Sequence, residues 1–147
     1  RRLHIGCRDA RVPFVLSPCQ NGSPRLLYTI LCYHDEKVVC AWSQEQDDAV
    51  MAKLGVVHEK LAASGKLGPV ARLLPTTTAT TLRKDRDPPL VIDGPFAETK
   101  EQLLGFYVVD CENLDEVISI ANDLARANPG GAYEIRPVAT FMPGAFP

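Results

Sequence analysis

The stretch LLGFYVVDCENLDEVISIANDLARANPGGAYEIRPV, residues 103–138, decides the fold. Its opening, Leu103 to Val109, is a nearly continuous apolar run rich in aromatic and branched residues, the pattern of a strand buried on both faces. Asn113 then stands where a helix cap is wanted, with Asp115 and Glu116 suited to the first turn. Leu114, Val117, Ile118, Ala121, Leu124 and Ala125 trace one helical face. Asn128-Pro129-Gly130-Gly131 stops that helix, and Tyr133-Glu134-Ile135-Arg136-Pro137-Val138 forms a closing strand. The whole stretch is strand, helix, strand.

Toward the N-terminus the same order begins again. Leu26 to Tyr33 reads as a buried strand. After His34-Asp35-Glu36-Lys37 and a short apolar patch, Ser43 and Gln46 supply an S-x-x-Q capping box. The helix that follows places Val50, Leu54, Val57 and Leu61 on one stripe, and Gly65 supplies the left-handed stop. Between the two units, Pro69, Pro75 and the threonines of 76–81 favour extended chain over helix. That segment predicts a meander with strands near 70–74, 77–83 and 89–93, its polar bend at Lys84 to Pro88. The elements pack most simply as an α+β, ferredoxin-like sandwich, with an antiparallel sheet carrying two helices on one face. The other face then needs a cover, and a second copy supplies one, so the chain is expected to be a homodimer that pairs through its sheet.

Composition agrees with one domain. The chain has 147 residues, 46% of them hydrophobic and 23% charged, too apolar for disorder. No run approaches the roughly 18 apolar residues of a membrane span, so no membrane association is expected. The net charge of −2 averages two unlike parts. Residues 1–25 hold five Arg and one Asp, a net of +4, which leaves 11 basic and 17 acidic residues, or −6, for the rest. So acidic a body lacks the basic stripe that phosphate contacts require, and direct nucleic-acid binding is not expected. The Arg-rich arm, punctuated by Pro13, Pro18 and Pro24, reads as a disordered or non-native extension, and residues 26–147 as the domain.

Five cysteines, with no CxxC pair and no His at ligand spacing, argue against a metal site. Cys32 and Cys111 lie in apolar strands, where a buried inert thiol is the default. This usage suits a reducing cytoplasm. No Walker loop, dinucleotide GxGxxG, GxSxG or HExxH occurs, so no cofactor is expected.

The segment Val91-Ile92-Asp93-Gly94-Pro95-Phe96-Ala97-Glu98-Thr99-Lys100-Glu101, followed by Gly105-Phe106-Tyr107, resembles the YCII-related family and its DGPF-motif branch. The resemblance runs from Leu26 to about Thr140. It implies a dimeric ferredoxin-like domain of the dimeric α/β-barrel superfamily, whose small enzymes act on cyclic or aromatic compounds. It also implies an Asp/His acid-base pair. Asp93 is similar to the family Asp, while the family His falls by counting near Leu54, one turn before His58. Some members are encoded beside extracytoplasmic-function sigma factors, which keeps a sigma-factor association open as a regulatory alternative to catalysis.

The residues carry two readings each. Asp93-Gly94 is a strong turn signal, and the alternative is a general base held at a rigid corner. His58 borders the apolar stripe as a core or interface histidine, or else serves as the catalytic partner. His34, at the end of the first strand, reads either as facing the same cleft or as a solvated loop residue. Tyr28, Phe96 and Tyr107 are candidates for an aromatic ligand wall, with core packing as the plainer reading, and Lys100 and Arg136 are candidate anion binders that also suit a wet surface. Three functions stay open: a small-molecule enzyme using Asp93 with His58 or His34, a non-catalytic ligand-binding or regulatory module, or a purely structural interaction domain with a filled dimer core.

Overall fold

The computed structural model describes residues 26–145, so the expected N-terminal extension lies outside the described residues. The chain opens with strand β1 (Leu26–His34), a single turn of helix α1 (Glu36–Cys40) and the long helix α2 (Gln44–Ala63). Strand β2 (Leu67–Arg72) leads to a 3-10 turn at 76–78, and β3 (Thr80–Arg83) and β4 (Leu90–Asp93) follow. Strand β5 (Gln102–Cys111), helix α3 (Leu114–Ala127) and β6 (Ala132–Pro137) complete it.

The helices begin where their caps require. Ser43 Oγ accepts the Gln46 N–H while the Gln46 amide oxygen accepts the Ser43 N–H, so the capping box of α2 is closed in both directions. Asn113 accepts the Glu116 N–H at the start of α3. Gly65, at φ +68°, ends α2. The single turn of α1, capped by Asp35, is an addition to the expected elements.

The sheet runs β2-β5-β1-β6 with every neighbouring pair antiparallel, and α2 and α3 pack on one of its faces. This is the ferredoxin-like α+β arrangement that the strand-helix-strand repeat implies. Register places residues of all four strands in cross-sheet rungs. One rung is Val70–Tyr107–Ile30–Ile135, and the next toward the sheet end is Arg72–Gly105–Cys32–Tyr133. Ile30, Val109, Cys111, Val117 and Leu124 are the most deeply buried side chains, so the core lies between α3 and the centre of the sheet. Leu27, Thr29, Leu31, Phe106 and Val108 alternate with these on the opposite face.

Two expectations need correction. The expected meander does not join the main sheet: only β2 does, and β3 pairs with β4 as a separate ribbon. Thr76 to Thr78 form the 3-10 turn instead of strand, because Thr78 Oγ1 bonds Pro75 O at 2.8 Å and Thr76 bonds the Glu36 carboxylate through both its N–H and its hydroxyl. Such local side-chain bonds compete with strand pairing. The buried face of α3 is also rotated from the expected one. Ile120 and Ala127 are buried, whereas Leu114 and Ile118 are 51% and 42% exposed.

Candidate functional site

A hollow opens on the helix-covered side of the sheet, beneath the N-terminal half of α2, with a cavity volume of about 120 Å³. Its cause is the Arg72–Gly105–Cys32–Tyr133 rung. The two central strands offer no side chain and a small one there, Gly105 and Cys32, while the next rung offers Tyr107 and Ile30. Gly105 cannot be enlarged, because a Cβ would run into the backbone carbonyl of Ala71 on β2. The floor is therefore low at one end of the sheet, and Val50, Met51 and Leu54 of α2 roof a space they do not fill.

Polar groups interrupt this mostly apolar lining at a few places. His58, one turn beyond Leu54, brings Nε2 to 3.4 Å from the Tyr107 hydroxyl, the two rings tilted at 57° with centroids 5.4 Å apart. Burial holds the His58 imidazole below its ordinary value and pushes the Tyr107 phenol up to about 12. At neutral pH the pair is thus an uncharged imidazole beside a protonated phenol. With Nε2 unprotonated, the imidazole accepts and the hydroxyl donates. Burial also raises Cys32 to about 12, so the thiol is protonated and unreactive, as its place in an apolar strand predicts.

On the β6 side, Tyr133 lies against the Asn128 side chain at the end of α3, and burial raises its phenol as well. The Gly130–Gly131 turn passes close over His34: a Cβ on Gly130 would sit 2.6 Å from His34 Nε2, and Gly131 has φ +69°. That approach requires glycine, and it fixes the turn that delivers Tyr133. On the β2 side, Arg72 donates two end-on hydrogen bonds to Asp47, Nη2 to Oδ1 at 2.7 Å and Nη1 to Oδ2 at 3.1 Å. This guanidinium holds the Asp47 carboxyl below the usual carboxylate range.

His58, His34 and Tyr107 therefore meet at one cavity. The other candidates do not line it. Asp93 is exposed at the end of β4 opposite Thr80, and Gly94 beside it takes φ +106°. The Gly94 N–H bonds Ala79 O at 2.7 Å, Thr81 Oγ1 bonds Gly94 O at 2.8 Å, and Arg83 bonds Phe96 O, so this segment closes the ribbon. Phe96 is 74% exposed on that ribbon, and Lys100 lies exposed between it and β5. Tyr28 is buried in the core, and Arg136 alternates to the far face of the sheet, 3.7 Å from Glu134. No Asp93–His contact is formed within the described chain.

Sequence reasoning missed Arg72, Asp47, Tyr133 and Asn128. Arg72 did leave a signal, as a charge inside the apolar run Val70 to Leu74. Among the described residues no cluster of three or more His, Cys, Asp or Glu is placed to hold a metal, and no helix is long and apolar enough to cross a membrane.

Comparison with known proteins places this geometry in context. The family model for the YCII-related domain matches residues 26–142. A protein of Rhizobium meliloti (strain 1021), described as uncharacterized, is 57% identical over 123 residues, covering 83% of this chain and 99% of its own length.

Proposed function

The chain belongs to the YCII-related family, and on that premise we propose that it binds a small ring-bearing compound in the cavity under α2 and exchanges a proton with it through His58. One observation carries this reading: an uncharged imidazole and a protonated phenol stand 3.4 Å apart on the wall of an otherwise largely apolar hollow. A hollow of about 120 Å³ is close to the size that admits a single six-membered ring. His58 is the proton acceptor, and Tyr107 bonds Nε2 until a ligand takes its place. A proton acceptor must be unprotonated at the working pH, and burial keeps the His58 imidazole so.

Asp93 enters this reading only from a second copy. The ribbon carries Leu82, Val91 and Phe96 exposed at 57%, 63% and 74%, and so much apolar surface on so small an element favours a homodimer. The Asp93-Gly94-Pro95-Phe96 turn supports placement in the DGPF branch. The free thiols Cys32 and Cys40 support a reducing, cytoplasmic setting.

The test is mass spectrometry of small molecules retained by the native purified protein, followed by incubation of any ligand found with wild type and His58→Gln. The expected result is a ring compound of about six to ten heavy atoms, absent from a Leu54→Trp variant that fills the hollow and converted only when His58 is present. Retention by the filled variant overturns the site. Bound ligand that wild type leaves unchanged overturns the proton transfer and favours a binding module, a reading to which the placement of Asp93 outside the cavity already lends weight.

A further inference from the structure

We propose that the compound is a carboxylic acid, its ring in the hollow beside Leu54, Tyr107 and Tyr133 and its carboxylate on the guanidinium of Arg72. This rests on the reading of the hollow as a small-molecule site and adds the charge of the ligand. Arg72 shares its rung with Gly105, so it stands at the edge of the low floor with no side chain between it and Cys32. It also lines the adjoining outer cavity and so forms part of the wall between the two.

The ionisable groups facing Arg72 decide the sign of the ligand. From α2 come Asp47 and His58, from β1 comes His34, and from the outer side comes Glu36, whose carboxylate is already bonded to Thr76. Arg72 is the one Lys or Arg among the described residues lining the inner hollow. Asp47 spends both carboxylate oxygens on Arg72, so it has little to offer an amine. Arg72 spends only its two Nη donors in that pair, and its Nε makes no hydrogen bond among the described residues. A guanidinium carries five N–H donors in a planar fork, so a second carboxylate fits its free edge. Asp47 tolerates the sharing because it sits in the first turn of α2, where the unpaired N–H groups favour a negative charge.

The experiment titrates the full chain with benzoate, benzamide and benzylamine, three probes of one ring and different charge, and repeats the titrations on Arg72→Gln and Arg72→Lys. Benzoate is expected to bind wild type most tightly and to lose about tenfold or more in Arg72→Gln, with partial recovery in Arg72→Lys. Benzamide is expected to bind wild type and Arg72→Gln equally, which also shows that the variant keeps its hollow. Equal affinity for benzoate and benzamide, or preference for benzylamine, overturns the carboxylate assignment and leaves the ring site standing. Failure of all three probes at millimolar concentration overturns the ring site and this inference with it.

Discussion

The two long helices lie on the same sheet face yet are buried to very different degrees. Helix α3 buries Val117, Ile120, Ala121, Leu124 and Ala127 within 14 residues, while α2 buries only Leu54 and Leu61 within 20. Both have sound caps, so local helix signals do not account for the contrast. The sheet beneath them does. Under α3 stand Tyr28, Ile30, Val109 and Cys111, which fill the interface. Under the first half of α2 stand Gly105 and Cys32, which leave it open. One helix closes a core, and the other roofs a hollow.

The largest expected effect tests that division directly. Leu124→Ala, at a fully buried position, should cost about 3–5 kcal/mol by chemical denaturation, whereas Leu54→Ala, beside an existing hollow, should cost about 2 kcal/mol. Equal costs would erase the distinction between the helices. Gly105→Ala comes next. Its methyl group meets the Ala71 carbonyl across the strand pair, and a loss of about 1–3 kcal/mol is expected in the same measurement. A neutral result would mean that β2 moves freely and that the low floor is not fixed by backbone approach.

The smallest effect is a pH dependence confined to the α2 side. Burial lowers the His58 pKa in the folded protein, so the unfolded chain binds the proton more readily. Stability contributed by neutral His58 is present above its ordinary value of 6.5 and is lost as pH falls through the lowered folded value. Thermal melts of wild type from about pH 7 to 5 should therefore show a fall in Tm that is shallower in His58→Leu. Identical slopes would place His58 in contact with water and remove the basis for an uncharged imidazole.

Much of this was legible in the residues. The capping box at Ser43, the Asn113 cap and the two strand-helix-strand units specify the sheet and both helices, because these signals are local and strongly periodic. The ribbon's two strands and its bend were legible as well, but not its separation from the main sheet or the turn at 76–78, since the threonine run reads as strand until Glu36, remote in sequence, claims Thr76. His58 and Tyr107 could be singled out one at a time, but their meeting depends on the register of β5 and the rotation of α2. Arg72 and Asp47 escaped notice for the same reason: one is a charge within an apolar run and the other a first-turn acid, and neither points to the other until the sheet brings β2 under the first turn of α2. Asp93 shows the opposite case, where the backbone of a conspicuous tetrapeptide closes a turn away from the cavity.

The rung that forms the floor, Arg72–Gly105–Cys32–Tyr133, has one further property. It spans the sheet from edge to edge, taking one residue from each of the four strands. Edge strands are ordinarily the first parts of a sheet to exchange their amide protons, opening locally while the centre stays closed. A molecule seated between Arg72 and Tyr133 would touch both edges at once and act as a brace across them. Occupancy would then slow hydrogen exchange in β2 and β6 together, two strands that share no hydrogen bond with one another.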